Sequence, residues 1–182
     1  MTEVWLHSNR RVLLLALVPA AMLGLVAIAA MNLGLGPVVG TAAWILLAVS
    51  VLLGVGLILQ VFRPRVAYSR GKVLFYLKSG DPIAVPCEVV EAFFLGQGPA
   101  NLPVQVVEKA ETVNLIARLS QRAPEWEQQD VKAALGAWCD GYVTIRGTWC
   151  EPLNGEVIRG LNRRLAEVCR ESQSEAKEDP QE

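Results

Sequence analysis

The sequence predicts an α+β membrane protein: a transmembrane helical hairpin, then a small β-rich domain closed by a C-terminal amphipathic helix. Three observations predict this class. Residues 12–62 contain no Asp, Glu, Lys, Arg or His. From residue 66 onward, apolar residues alternate with the period of two that is typical of strands. After Asn154, apolar residues recur at spacings of three and four, as they do on one face of a helix.

The charge-free run is long enough for two membrane-spanning helices, since one span needs about 20 apolar residues. Residues 32–37 read N-L-G-L-G-P and interrupt the run with turn-forming residues. We therefore predict spans at residues 12–31 and 38–62. A cleaved signal peptide is not expected, although residues 27–29 read A-I-A. The apolar run continues past that site and exceeds the roughly 7–15 residues of a signal-peptide core.

Basic residues flank both spans, and the loop between the spans carries no charge. Arg10 and Arg11 precede the first span. The second span is followed by Arg63, Arg65, Arg70 and Lys72. The positive-inside rule then places both termini in the cytoplasm, and the protein is predicted to be a multi-pass protein of the cell (inner) membrane. Residues 1–11 are predicted to be a cytoplasmic lead-in, too short to fold.

Small residues recur along both spans. Ala16, Ala20 and Gly24 are spaced by four on the first span, and Ser50 and Gly54 are spaced by four on the second. Such spacing lets helix backbones approach closely. We interpret it as packing within the hairpin, with a homo-oligomer as the alternative. An ionisable residue inside a span is the usual mark of an ion path. The two spans contain none, so a transporter or channel is not expected.

Residues 63–170 are predicted to form one cytoplasmic β-rich domain. The alternation predicts strands at residues 66–68, 72–77, 83–85, 89–95, 104–107, 113–119 and 142–146. Residues 121–140 are interpreted as a long connection with a helical turn. Asn154 is a suitable N-cap for the closing helix, which is predicted to run to about Arg170. Residues 171–182 are acidic and are expected to be disordered.

This order of elements resembles bacterial membrane proteins that carry a PH-like domain after a transmembrane hairpin. Two segments carry the resemblance: R-P-R-V-A-Y-S-R-G-K-V-L-F-Y-L at residues 63–77 and N-G-E-V-I-R-G-L-N-R-R-L at residues 154–165. The resemblance implies a partly open barrel that is plugged by a helix. It implies no shared enzymatic activity.

The residues that carry most enzymatic and metal chemistry are sparse. The four cysteines have no C-x-x-C spacing, and His7 is the single histidine. Zinc sites need clustered ligands, and Ser-His or Cys-His catalysis needs an imidazole beside the nucleophile. We therefore predict no catalytic residue, no metal and no cofactor. The net charge of −1 does not indicate nucleic acid binding. The alternative is a cysteine-dependent enzyme that acts on a membrane-associated substrate through Cys139 or Cys150.

Two sets of residues are predicted binding sites. The basic residues after the second span would attract anionic lipid headgroups by about 1 kcal/mol each. This headgroup set is Arg63, Arg65, Arg70 and Lys72. Two Trp-Cys pairs are expected to plug the core, and with their acidic neighbours they define a predicted functional rim. The rim set is Trp138, Asp140, Trp149 and Glu151. The sequence thus predicts a non-catalytic protein, embedded in the bilayer, whose cytoplasmic domain binds a protein partner or lipid headgroups.

Overall fold

The computed structural model describes residues 2–34, 36–99 and 111–178. The chain divides into two compact units. One is a helical hairpin, Ser8–Arg63. The other is β-rich and is built from two separate chain segments, Met1–His7 and Pro64–Glu182.

The helical hairpin consists of α1 (Arg10–Asn32) and α2 (Pro37–Phe62). Asn9 caps α1, because its side-chain oxygen accepts a hydrogen bond from the Val12 backbone N–H at 3.4 Å. Pro37 begins α2, where its fixed φ suits the first helical turn. Both helices are long and apolar enough to cross a membrane. Their bounds agree with the two predicted spans to within two residues.

Small residues let the two helices of the hairpin approach each other. Ala20, Gly24 and Ala27 of α1 are buried, as are Ala43 and Ser50 of α2. The Ser50 hydroxyl donates a hydrogen bond to the Ala20 carbonyl at 2.7 Å. A Cβ added to Gly24 would lie 2.9 Å from the Ser50 Oγ, which is too close. The predicted packing within the hairpin is therefore confirmed at Ala20, Gly24 and Ser50.

The described residues of the β-rich unit form two antiparallel four-stranded sheets and a helix. The first sheet has the order β1-β2-β3-β4, with β1 Glu3–Leu6, β2 Val66–Ser69, β3 Lys72–Phe75 and β4 Ile83–Pro86. The second has the order β5-β6-β8-β7, with β5 Val90–Pro99, β6 Glu111–Leu119, β7 Gly136–Cys139 and β8 Tyr142–Ile145. The helix is α3, Gly155–Glu178. The predicted strand at residues 104–107 lies outside the described residues.

Strand β1 corrects the prediction that residues 1–11 are a lead-in too short to fold. It pairs antiparallel with β2, with Val4 opposite Ala67 and Leu6 opposite Val66, and the register shifts at Trp5 between these pairs. Trp5 and Leu6 are both buried. The short segment is ordered because β2 supplies its hydrogen bonds and the core covers its side chains. As a result, the helical hairpin is inserted between two paired strands.

Both sheets and α3 contribute to one hydrophobic core. Asn154 is confirmed as the N-cap of α3, since its Oδ1 accepts from the backbone N–H of Glu156 at 3.0 Å and of Val157 at 2.9 Å. Leu161 and Leu165 on the apolar face are buried. The helix runs to Glu178, so residues 171–178 are helical rather than disordered. Glu, Ala and Lys in this stretch are strong helix formers.

The α+β class is confirmed, and the connection at residues 121–140 needs a correction. It contains a 3-10 turn at Pro124–Trp126 and also strand β7, which the sequence analysis missed. Among the described residues, each sheet ladder runs within one sheet and none joins the two sheets. Barrel closure therefore stays a prediction.

Candidate functional site

The predicted headgroup set does not form one surface. The Arg65 side chain lies inside the β-rich unit, where only 2% of the residue is exposed and its Nε donates to the Trp149 carbonyl at 3.1 Å. Arg63 belongs to the hairpin unit. Arg70 and Lys72 are exposed at the turn between β2 and β3. Burial thus removes Arg65 from any surface that could meet a headgroup.

Strand direction places Arg70 and Lys72 at one end of β2 and the link to α2 at the other. Strand β2 starts at Val66, directly after the link that follows α2, and ends at Ser69. A strand rises about 3.3 Å per residue, so Ser69 lies about 10 Å from Val66. The positive φ of Arg70 then turns the chain into β3. Arg70 and Lys72 therefore stand at the opposite end of the sheet from the link to the hairpin.

The end of the β-rich unit where the chain leaves at His7 and returns at Pro64 is here named the junction end. Backbone hydrogen bonds collect several loops there. Tyr76 N–H donates to the Arg65 carbonyl at 3.1 Å, and Lys132 N–H donates to the Leu77 carbonyl at 2.9 Å. These bonds place residues 76–78 and residue 132 beside the start of β2.

Two side chains hold the loop before β7 at the junction end. The Arg146 Nε donates to the Ala133 carbonyl at 2.7 Å. The Trp149 Nε1 donates to the Ala134 carbonyl at 2.8 Å. Both donors lie after β8, so the segment that follows β8 fixes the loop that precedes the neighbouring strand, β7. Sequence reasoning missed this arrangement, because the four residues are separated along the chain and share no motif.

The predicted functional rim is divided between different environments. Trp138 is buried as expected for a core plug, with its ring 5.7 Å from that of Phe75 in an edge-to-face arrangement. Trp149 is half-buried. Asp140 has a φ of +53° and forms the turn between β7 and β8. Glu151 accepts from the His7 backbone N–H at 2.9 Å, at the junction end. Because β8 runs between Asp140 and the junction end, the four residues do not share a rim.

A cavity of about 410 Å³ opens beside the Asp140 turn. Its lining includes Ser120, Trp126 and Glu127 as well as Asp140. The Trp126 carbonyl accepts the indole N–H of Trp138 at 2.7 Å, which fixes one wall to the core. Of the four predicted rim residues, only Asp140 lines this cavity.

A second cavity, of about 420 Å³, lies between β5 and α3. Asn162 of α3 closes part of it against β5. Its Oδ1 accepts from the Phe93 N–H at 2.7 Å, and its Nδ2 donates to the Phe93 carbonyl at 2.9 Å. The amide thus pairs with the free edge of β5, which protects that edge from pairing with another strand.

The thiols give no support to a cysteine-dependent enzyme. Burial raises the pKa of Cys150 to about 12, although the Arg65 charge opposes the shift. Cys139 is exposed, and its hydrogen bond to Asp140 raises the pKa of its thiol. A nucleophilic cysteine needs a lowered pKa, because the thiolate is the reactive form. Both nominated cysteines shift in the opposite direction.

No family model matches the chain, and comparisons with curated proteins and with solved structures gave no significant match. Within the part of the chain that the structure describes, no group of three or more His, Cys, Asp and Glu side chains is placed to hold a metal ion. Function is therefore inferred from the geometry of this chain alone.

Proposed function

We propose that this chain is a non-catalytic integral membrane protein of the cell (inner) membrane whose cytoplasmic β-rich domain binds anionic lipid headgroups. The observation that carries the proposal is the insertion of α1 and α2 between the paired strands β1 and β2. Only residues 7–9 and 63–65 link the strands to the helices. Two short tethers would hold the domain at the bilayer surface, where the effective concentration of headgroups is high.

Exposure of the helical hairpin supports its place in a bilayer. Only 22% of the most apolar stretch of α1 is buried, and only 6% of that of α2. A core helix of a soluble protein would be mostly buried, whereas a membrane-spanning helix presents its apolar side chains to lipid. Arg10, Arg11 and Arg63 at the helix ends support a cytoplasmic location for both termini under the positive-inside rule.

We also propose that the β-rich domain is a variant of the PH-like architecture. Two antiparallel sheets and a closing helix that packs on their common core support this assignment. A fold does not determine a function. The proposal that the domain binds lipid headgroups therefore depends on the two short links to the helices and not on the resemblance to PH-like domains.

Amide hydrogen exchange on the full chain in nanodiscs tests the headgroup proposal. One preparation contains phosphatidylcholine alone, and the other contains phosphatidylcholine mixed with anionic phosphatidylglycerol. We expect at least one surface segment of the β-rich domain to exchange more slowly in the anionic nanodiscs, with the difference declining as salt rises. Equal exchange in both preparations, throughout the domain, would overturn the proposal.

A protein partner is the second candidate, favoured by the ribbon of β5 and β6. Leu95 and Val113 share one face of this ribbon, since Val113 lies opposite Gln97, two residues along from Leu95, and they are 44% and 42% exposed. Exposed apolar residues that lie close together are typical of protein interaction sites. A photo-crosslinking residue at Val113 should trap a discrete partner in native membranes, while the same residue at exposed Glu156 on α3 should not. Identical products from the two positions would contradict this candidate.

A further inference from the structure

We propose that β5 pairs with β5 of a second copy of this chain, so that the open edge of the second sheet becomes the centre of a twofold dimer. The pairing is separate from headgroup binding. It rests on the second candidate function, a protein partner for the ribbon of β5 and β6, and it names that partner. Strand β5 comes first in the order β5-β6-β8-β7, so only one of its edges is paired with another strand.

Asn162 shows which residues of β5 face the open edge. Its side-chain amide bonds to both the N–H and the carbonyl of Phe93, at 2.7 and 2.9 Å, so the backbone of Phe93 points away from β6. In an antiparallel pair, successive residues bond alternately toward and away from the neighbouring strand. The register of residues 92–99 with β6 is unbroken. Leu95 and Gln97 therefore direct their N–H and carbonyl groups to the same edge as Phe93.

The backbone groups that Leu95 and Gln97 direct to this edge have no hydrogen-bond partner among the described residues, and both residues are exposed. A row of such groups is a template for an added strand. The open stretch is closed at both ends. At one end a side-chain amide occupies Phe93, and at the other Pro99 has no N–H to donate. The open stretch is thus centred on Gly96.

The positions of the two closed ends favour a second copy over another protein. Phe93 and Pro99 are equally far from Gly96 along the strand, so an identical strand that runs antiparallel about Gly96 meets the same limits. Leu95 then lies opposite Gln97 of the second copy, and the reverse pair is equivalent. Each pair exchanges both of its backbone hydrogen bonds. This is the self-complementarity that a twofold interface requires.

The side chains along the open stretch suit the same pairing. Residues 92–99 carry no charge, so two copies meet there without like-charge repulsion. Phe94 is 46% exposed. In the register centred on Gly96 it stands opposite Gly98 of the second copy, in a pair that is not hydrogen-bonded and whose Cα atoms approach closely. Pairing therefore covers part of an apolar side chain that a single copy leaves exposed.

Sedimentation of the full chain in detergent tests the dimer with two variants at one position. Gln97→Pro removes an N–H that faces away from β6, so it breaks no bond between β5 and β6, and proline is tolerated at such an edge. Gln97→Ala removes the side chain and keeps the N–H. The wild type and Gln97→Ala should be dimeric. Gln97→Pro should raise the dissociation constant of the dimer at least about 25-fold, because each copy loses one hydrogen bond at about fivefold per bond.

A disulfide between two differently tagged copies tests the register. One copy carries Leu95→Cys and the other Gln97→Cys, and both carry Cys139→Ser because Cys139 is exposed. Opposite residues of a hydrogen-bonded pair have Cα atoms about 5.5 Å apart, which suits a disulfide. Two copies that both carry Leu95→Cys place these residues diagonally, about 7–8 Å apart, and should link poorly. Mild oxidation should therefore join the two tags mainly in the first mixture.

A monomeric wild type would overturn the dimer. So would a Gln97→Pro variant that keeps the wild-type circular dichroism spectrum and dimerises as tightly as the wild type, because the contact would then lie elsewhere. Stronger linking of two Leu95→Cys copies than of the mixed pair would refute the antiparallel register. If the chain is monomeric and the crosslinker at Val113 traps a different protein, the second copy is excluded while the protein-partner candidate stands. Headgroup binding is judged separately, by the lipid-dependent exchange in nanodiscs.

Discussion

Insertion of the helical hairpin between β1 and β2 predicts that the β-rich unit folds in water once the hairpin is removed. Residues 8–63 would be replaced by a short glycine-rich turn that joins His7 to Pro64. The ends to be joined are already adjacent, because Leu6 lies opposite Val66 and its carbonyl accepts the Arg65 N–H at 2.8 Å. Antiparallel strands need only a short loop between them. The joined chain should therefore keep β1 in the sheet.

The size of the effect follows from what β1 buries. A shorter chain of residues 64–182 lacks β1 and so loses Trp5 and Leu6 from the core. Burying one large apolar side chain stabilises by about 1.5–3 kcal/mol, so the two together contribute about 3–6 kcal/mol. Trp5 also stacks on Tyr68, with ring centroids 5.4 Å apart. The contribution of about 3–6 kcal/mol from Trp5 and Leu6 is a large share of the free energy of unfolding of a typical domain, which is roughly 5–15 kcal/mol.

Urea denaturation, followed by circular dichroism, measures the difference. The joined chain should unfold cooperatively and exceed the 64–182 chain by about 3–6 kcal/mol in the free energy of unfolding. Leu6→Ala in the joined chain is the matched point variant and should cost about 2–5 kcal/mol. Equal stability of the joined and shortened chains would refute the pairing of β1 with β2.

Three further predictions concern α3, the hairpin and the thiols. Leu161→Ala should destabilise the joined chain by about 2–5 kcal/mol, because the side chain is 2% exposed. Arg164→Ala should cost under about 1 kcal/mol, since its ion pair with Glu3 is exposed; similar losses in urea melts would contradict the packing of α3. Gly24→Val should lower the melting temperature of the full chain in detergent, because a Cβ there would lie 2.9 Å from a hydroxyl of α2; an unchanged melt would show that the helices do not pack closely. A thiol reagent at neutral pH should modify Cys139 in the folded chain and Cys150 only after unfolding, since burial raises the Cys150 pKa to about 12; rapid native labelling of Cys150 by mass spectrometry would disprove this.

Sequence determined the elements whose signals are local. The two long helices are recognised from apolar runs without charge, and their turn from the residues at 32–37. The cap of α3 is equally local, because Asn154 bonds to backbone groups only two and three residues away. In each case the residues that form the element also contain the information that specifies it.

The formation of β1 and β7 depends on tertiary contacts, because each strand has only four residues and carries little periodicity of its own. Strand β1 exists through pairing with β2 across the whole hairpin, a contact that no local pattern reveals. The same holds for the basic residues after the hairpin, which look equivalent in sequence. Burial takes Arg65 into the interior and strand direction carries Arg70 and Lys72 to the far end. A backbone bond from Lys132 to Leu77 joins two loops that are far apart in the sequence. Which charges share a surface is set by long-range pairing, and the order of residues along the chain does not record it.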